Sequence, residues 1–209
     1  ATYEYQVCCK CHGGRGTVRA PLVDRVIVNT NVAEEFSPSN YSFHPIETQG
    51  KNTSVPSLLL PWRTTSLMYC TDCHSSSDTS GPRGPHGSAY TPLLVRNYTT
   101  TDNTTESPAA YALCYGCHNR SAIISETGPF KYHKKHLEKK TPCSACHDSH
   151  GISATQSTPT SGTHLINFDR FVVRPTKAGN GPSYTSTGLR RGSCTLSCHG
   201  KEHNPLKYP

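Results

Sequence analysis

Residues 130–151 read FKYHKKHLEKKTPCSACHDSHG and contain four histidines and two cysteines. The segment CSACH at 143–147 places one histidine directly after a Cys-x-x-Cys pair, while His133, His136 and His150 have no cysteine beside them. Two thiols in this spacing add to the two vinyl groups of haem, and the adjacent imidazole then reaches the iron from the side that the thioethers fix. The stretch therefore predicts one covalent haem site with three further imidazoles close to it in sequence.

The same attachment motif recurs along the whole chain. Four copies are strict Cys-x-x-Cys-His, and a fifth has one more residue between its cysteines. A short bulge would let both sulfurs of the fifth copy still meet their vinyl groups, so five covalent haems c are predicted. The predicted thioether cysteines are Cys8, Cys11, Cys70, Cys73, Cys114, Cys117, Cys143, Cys146, Cys194 and Cys198. The predicted proximal iron ligands are His12, His74, His118, His147 and His199.

Other uses of cysteine fit this pattern less well. A structural zinc site needs paired Cys-x-x-Cys knuckles with histidines further away, not a histidine after every second cysteine. A disulfide framework accounts for the cysteines but not for the histidines that follow them, and a thioredoxin-like redox motif would occur once. The motifs use ten of the eleven cysteines. Cys9 is left over and is interpreted as a small buried or reduced thiol, with an intermolecular disulfide as the alternative.

The sixth coordination position is predicted to be histidine at every iron. Met68 is the one methionine and can serve a single iron at most, whereas seven histidines remain outside the motifs. Bis-histidine ligation leaves no open position for a substrate and gives a low reduction potential suited to passing electrons. Five distal ligands are expected among His44, His86, His133, His136, His150, His164 and His203.

The positions of these histidines predict haems that are linked to their neighbours. His150 and His203 follow a proximal histidine by three and four residues. Each is therefore expected to project past that haem's edge and reach the iron of the next one. His133 and His136 lie at i and i+3, roughly on one face of a predicted helix.

Composition predicts a chain that cannot fold around its own side chains. Leu, Ile, Val and Phe together make up 34 of the 209 residues, too few to offset the conformational entropy of so long a chain. Porphyrins are therefore expected to fill the interior. The predicted fold class is mostly irregular coil with short helices and a few short strands, organised around five covalently bound haems. Residues 1–209 are predicted to form a single pentahaem cytochrome c domain.

Three segments carry local signals of regular structure. Residues 17–32 are rich in β-branched side chains and predict a strand or hairpin, and INFDRFVVRP at 166–175 predicts a second strand. The segment SPAAYALCYGCHN at 107–119 predicts a short helix with Ser107 as N-cap and Pro108 at the first helical position.

The positive charge of the chain does not indicate nucleic-acid binding. Each ferric haem with both propionates ionised adds about −1, so five haems would lower the formal +7 to about +2. The excess Lys and Arg are interpreted as partners of the propionates.

No segment approaches the length of a transmembrane helix, so no membrane span is predicted. Haem attachment motifs and the absence of a signal peptide suggest export with a cleaved signal, to the cell surface or beyond, with the periplasm as the alternative.

With these motifs, the chain resembles the extracellular multihaem c-type cytochromes of metal-reducing bacteria. The resemblance rests on SFHPIE, YCTDCH, GPRGPHGS, YALCYGCHNRS, PCSACHDSHGIS, HLINFD and SCTLSCHGKEHNP, all between residues 42 and 205. Some members polymerise into filaments with a continuous haem chain, the cytochrome nanowires. The resemblance therefore implies electron transfer to redox partner proteins or extracellular electron acceptors. It also implies a head-to-tail homopolymer in which one subunit can give a histidine to a haem of the next.

The HKKH segment resembles a second group, the class III multihaem cytochromes. In those proteins two histidines at this spacing before a Cys-x-x-Cys-His motif serve different haems. The resemblance implies that the stretch 130–151 contributes to three or more irons.

Three functions compete at this stage. The first is a filament-forming electron conductor, and the second is a discrete periplasmic or extracellular pentahaem shuttle, similar to the pentahaem electron donor of nitrite reductase. The third is a multihaem enzyme such as a nitrite reductase, which needs a five-coordinate haem and usually has a motif ending in Lys. No Cys-x-x-Cys-Lys occurs in the sequence, so an enzyme is not predicted.

Overall fold

Most of the chain has no regular secondary structure. The computed structural model describes residues 1–14, 22–82, 84–85, 87–127 and 130–209. Long irregular stretches connect elements of two to nine residues, which confirms the predicted mostly irregular chain with short helices and strands. None of the helices in these described ranges is both long enough and apolar enough to cross a membrane.

The elements follow one another in a simple order along the chain. The helices are α1 (Glu4–His12), α2 (Val32–Glu35), α3 (Cys70–Cys73), α4 (Ala112–Tyr115), α5 (Arg120–Ile124) and α6 (His133–Glu138), and a 3-10 turn spans Cys143–Ala145. The strands are β1 (Ser42–Phe43), β2 (Gly151–Ile152), β3 (Val173–Arg174), β4 (Ser183–Gly188), β5 (Arg191–Cys198) and β6 (Lys201–Tyr208).

Two small antiparallel sheets organise the strands. β1 and β2 form a two-stranded sheet in which Phe43 lies opposite Gly151. In the second sheet β5 pairs with β3, β4 and β6. The turn between β5 and β6 consists of His199 and Gly200, with φ of 46° and 74°. Positive φ at both central residues is what a two-residue hairpin turn of type I′ requires.

Within the described residues, most buried apolar side chains form two small clusters rather than one core, and Phe36, Phe43, Leu94 and Ile152 are buried outside them. The larger consists of Ala145, Phe168, Val172, Val173, Tyr184 and Leu196, and the smaller of Ala110, Tyr111 and Leu137. The larger cluster joins the 3-10 turn to β3, β4 and β5. Clusters of this size bury little of the surface that a chain of 209 residues exposes when unfolded, as the composition predicts.

The strand predicted over 17–32 is wrong in its described part. Residues 17–21 lie outside the described residues, and 22–31 contribute a single β-bridge, from Arg25 to Asp169. The physical reason is that a side chain takes the place of a neighbouring strand. The Asn167 amide accepts a hydrogen bond from the Ile27 N–H at 2.8 Å and donates one to the Ile27 carbonyl at 2.9 Å.

The other two local predictions are correct in part. Of the strand predicted over 166–175, β3 is the regular portion, and Ile166 adds a bridge to His147. The predicted helix over 107–119 begins at α4, later than expected. Ser107 still caps the preceding turn, because its hydroxyl accepts a hydrogen bond from the Ala110 N–H at 3.1 Å. That residues 1–209 form one domain stays a prediction.

Gly151 provides a test of the close contact between β2 and α2. A Cβ built at this position would fall on the Glu35 carbonyl oxygen and lie 2.9 Å from the Phe43 Cβ. We therefore expect Gly151→Ala to lower the free energy of unfolding by about 1–3 kcal/mol, measured by chemical denaturation of the haem-loaded protein. Gly50→Ala is the matched control, because its Cβ would meet its nearest neighbour at 3.8 Å. Equal stability of the two variants would contradict the packing described here.

Candidate haem sites

Three of the four strict motifs share one backbone turn. The N–H of the motif histidine donates to the carbonyl of the first cysteine, with distances of 2.8 Å at His74, 2.9 Å at His118 and 2.9 Å at His147. The remaining strict motif, ending in His12, lies within α1. Because residues three apart share one face of a helical turn, both cysteines of each motif are on the same side. This is the arrangement that attachment of one porphyrin requires.

Neighbouring motifs in the sequence are also neighbours in space, beginning with the first two. Ligand atoms of Glu4, Cys8 and Cys70 lie within 4.8 Å of one another. The Glu4 carboxylate also accepts hydrogen bonds from the Thr71 N–H and hydroxyl, both at 2.9 Å. Helix α1 is thus held against the second motif.

The remaining motifs continue the same order. Burial and the Cys117 thiol raise the pKa of Cys73 to about 12. Because Cys117 can affect Cys73 only at short range, the second motif lies close to the third. The third meets the fourth where the Cys114 and Cys143 thiols interact. Finally, Cys146 of the fourth motif and Cys194 and Cys198 of the fifth are all partly buried against the larger apolar cluster. The five motifs therefore form a row in sequence order.

Among the described residues, three pairs of histidine rings lie at similar distances, with their planes tilted by 44–55°. The ring centroids are 6.2 Å apart for His74 and His150, 6.1 Å for His133 and His147, and 6.4 Å for His136 and His203. An imidazole nitrogen binds a metal at about 2.0 Å and lies about 1.1 Å from its own ring centre, so two imidazoles on opposite sides of one iron have centroids about 6.2 Å apart. The spacing fits axial ligation of an iron between the rings of each pair.

Hydrogen bonds at Nδ1 orient most of these rings. A ligand histidine typically uses its second ring nitrogen to bond a carbonyl, a carboxylate or water, which fixes the tautomer and leaves the other nitrogen for the metal. In this structure Nδ1 has such a partner at His44 (Ser149 carbonyl, 2.6 Å), His74 (Pro92 carbonyl, 3.1 Å), His118 (Ser57 hydroxyl, 3.0 Å), His136 (Tyr132 carbonyl, 2.7 Å), His147 (His164 carbonyl, 3.0 Å) and His150 (Glu35 carboxylate, 2.8 Å). Nε2 is thereby left for iron.

Burial keeps several of these imidazoles neutral. Burial, with His44 and His147 nearby, lowers the pKa of His118 to about 4. Burial likewise lowers the pKa of His147 to about 4 and that of His133 to about 3. Neutral imidazole is the form that binds a metal. His44, which helps to lower the pKa of His118, is a candidate to form a fourth ligand pair with it.

Four predicted ligands lie outside these pairs, and one of them, His199, is described below with the fifth motif. His86 lies outside the described residues. His12 is exposed, and the ring pairs found among the described residues do not include it. His164 is also exposed, and its ring meets the Tyr184 ring edge to face at 6.3 Å. Its contribution to the fourth motif is its backbone carbonyl, which accepts from His147 Nδ1.

The fifth motif departs from the predicted geometry. Cys194 and Cys198 lie in β5, where four residues of extended chain span about 13 Å, whereas a helical turn would bring them together. His199 lies in the hairpin turn, and its Nε2 bonds the Asp102 carboxylate at 2.8 Å. His203, expected as a distal ligand, is the residue that faces His136. The physical cause is the pairing of β5 with β4 and β6, which holds the motif extended.

Several residues at these sites carry no signal in the sequence. Arg25 is the main example: its guanidinium donates to the carbonyls of Ser144 and Asn167, both at 2.6 Å, and of His147 at 2.8 Å. Its Nε lies 3.5 Å from an oxygen of Asp148, and both side chains are largely buried. Arg25 therefore holds the fourth motif in place from more than a hundred residues away. Glu35, Ser57 and Asp102 were missed for the same reason, since only folding brings them to a histidine.

Comparison with known proteins identifies the family of the chain. The family model described as outer membrane cytochrome MtrC/MtrF-like, domains II/IV, matches residues 1–165. The chain belongs to this family. It is accordingly a multihaem cytochrome that carries haem c and transfers electrons outside the cell or at its surface, and its family is one of electron carriers. No curated protein and no solved structure matches the chain. The match includes the four strict motifs, while β3–β6 and the fifth motif lie beyond it.

The contacts of Arg25 generate a stability prediction. Replacing it by Met keeps the apolar stem but leaves three carbonyls and the buried Asp148 without their cation. Breaking a buried ion pair typically costs 3–5 kcal/mol, so we expect Arg25→Met to lower the free energy of unfolding by about 3 kcal/mol. Arg170→Met is the control, because the ion pair of Arg170 with Asp24 is half exposed and is expected to contribute less than about 1 kcal/mol. A loss at Arg25 no greater than that at Arg170 would contradict this role.

Proposed function

We propose that this chain conducts electrons through a row of five covalently attached haems c, each with two histidine ligands. The observation that carries the proposal is the set of three opposed histidine pairs with centroids 6.1–6.4 Å apart. Further support comes from the contact between successive motifs, which would bring successive porphyrins close together. Each bound haem supplies a one-electron Fe(III)/Fe(II) couple.

We assign the axial ligands from the ring pairs. His74 pairs with His150, and His147 pairs with His133. At the third iron we assign His44 to His118, because His44 is close enough to lower the pKa of His118. The distal ligands of the second and third irons thereby come from segments far from their own motifs. Since His150 follows the fourth motif but serves the second iron, its loop ties non-adjacent sites together.

At the two ends of the row the ligand set is less complete. At the fifth site His136 is the distal ligand, opposite either His199, as the motif predicts, or His203, which its ring faces. At the first site His12 takes its sixth ligand from His86 or from a histidine of another copy of the chain.

The residues around the pairs have a supporting role in electron transfer. Carbonyl and hydroxyl acceptors at Nδ1 hold the rings in one orientation, so that little reorganisation is needed when the charge on the iron changes. Complete coordination by two histidines also leaves no position for a substrate, which supports electron carriage over an enzymatic reaction.

Haem content and spin state test this proposal. We expect five haems per chain from pyridine haemochrome absorbance against protein mass, because each of the five motifs supplies two thiols and a histidine. We also expect electron paramagnetic resonance to give low-spin ferric signals only, since two imidazoles form a strong ligand field. Four haems would mean that the extended motif at Cys194 is empty. A high-spin signal would contradict ligation by two histidines at every iron.

Polymerisation into an extracellular filament remains a prediction, with one supporting observation. Tyr3, Val7 and Tyr69, close to the first two motifs, are each 57–58% exposed, and an apolar patch made of such side chains would offer a contact surface. A head-to-tail contact that does not close on itself gives an open filament. We expect negative-stain electron microscopy of the native protein to show filaments. A monomer at micromolar concentration with every iron six-coordinate would instead identify a discrete electron shuttle.

A further inference from the structure

One of the paired histidines differs from the others in its hydrogen-bond partner. His150 Nδ1 bonds a carboxylate oxygen of Glu35 at 2.8 Å. Five other described histidines that we assign to iron also have a hydrogen bond at Nδ1. In each of them the partner is an uncharged backbone carbonyl or hydroxyl. Those histidines are His44, His74, His118, His136 and His147. The site formed by His74 and His150 is therefore distinguished by a charged acceptor.

The surroundings of Glu35 hold it rigidly in this contact. Glu35 is the last residue of α2, and 14% of its side chain is exposed. The Asn40 amide donates to its backbone carbonyl at 2.9 Å, and Gly151 packs directly on that carbonyl. The His150 ring is in turn held between Glu35 and the Phe36 ring, whose centroid lies 5.1 Å away. Water therefore screens little of the charge that Glu35 presents to His150.

The direction of this hydrogen bond follows from ligation. An imidazole that binds iron through Nε2 carries its ring proton on Nδ1, so Nδ1 donates and Glu35 accepts. A charged acceptor pulls this proton toward itself and makes the imidazole a stronger electron donor to the metal. Stronger donation and a nearby negative charge both stabilise Fe(III) relative to Fe(II), because the ferric ion has one more positive charge.

We infer that Glu35 is a positioning residue that lowers the reduction potential of the iron held by His74 and His150. The inference rests on the proposed function, since it requires that this pair binds iron. The reaction it affects is the gain of one electron by Fe(III) from a neighbouring haem, with no proton transferred. The site would be the one at which an electron spends least time along the second to fourth positions of the row.

Two other charged groups face this site and oppose each other. Asp148 lies beside His150, accepting its backbone N–H at 3.1 Å, and Arg25 lies on the other side of Asp148 at 3.5 Å. The Arg25 cation therefore offsets the Asp148 carboxylate. The Glu35 carboxylate bonds the imidazole itself and retains the larger effect.

The test is Glu35→Gln, which keeps the shape of the side chain and removes its charge. We expect one component of a spectroelectrochemical titration of the haem-loaded protein to shift to a more positive potential. The expected shift is about a tenfold change in the ratio of reduced to oxidised haem, which corresponds to 59 mV for a one-electron couple. Glu34→Gln is the matched control, because it removes the same charge from the same helix at an exposed residue that bonds Asn31. Glu35→Asp, which retains the charge, should restore most of the low potential.

Two comparisons separate the possible failures. His150→Met should raise the same component strongly, because a methionine ligand raises the potential, and should change the low-spin signal of one haem. If His150→Met alters no haem, the ligand assignment in the proposed function is wrong. If His150→Met moves one component while Glu35→Gln behaves as Glu34→Gln does, only the inference about Glu35 is overturned. An equal shift of all five components in Glu35→Gln would also overturn it, because the effect would then be general charge.

Discussion

The opposition of two imidazole rings across the space of one metal ion is the contact on which the rest of this structure depends. Two of the three ring pairs, His74 with His150 and His136 with His203, join parts of the chain that are far apart in sequence. The buried apolar clusters contain six and three residues, far fewer than a conventional core. A chain with so little apolar side-chain surface needs other sources of stability to offset its conformational entropy. Metal coordination and covalent attachment provide them, because binding free energy at such sites is also folding free energy.

The need to orient the histidine rings explains the long irregular segments. Loops rich in Gly, Pro, Ser and Thr would normally remain disordered, yet here they supply the acceptors that orient the rings. The carbonyls of Pro92, Ser149 and His164 and the hydroxyl of Ser57 each receive a hydrogen bond from a histidine Nδ1. An irregular backbone suits this purpose, since its carbonyls are not already used in a helix or sheet. The loops are thus the supporting layer of the haem sites.

The C-terminal region contains a haem motif and is also stabilised by ordinary strand pairing. Its four strands form an antiparallel sheet, whose apolar face packs on the 3-10 turn of the fourth motif. Strand pairing here satisfies the backbone N–H and carbonyl groups directly, and the fifth motif is extended as a result. The family match ends before this sheet, so the region that departs from the predicted motif geometry is also the region that the family model does not describe. Asp102, which bonds His199, extends the contact back to the loop before α4.

The sequence by itself determined the chemistry of this protein, because attachment of haem c depends on residues that are adjacent in the chain. The motif turns at His74, His118 and His147, the short elements and the sparse core all follow from local spacing and composition. Only the tertiary structure decided which imidazole faces which, and which group orients each ring. Three contacts join residues that are far apart in sequence: His150 with His74, Glu35 with His150, and Arg25 with the fourth motif. The spacing of these residues along the chain does not predict the contacts. The fifth motif shows both contributions. Its residues specify a haem, but the pairing of β5 with its neighbours determines the conformation that those residues adopt.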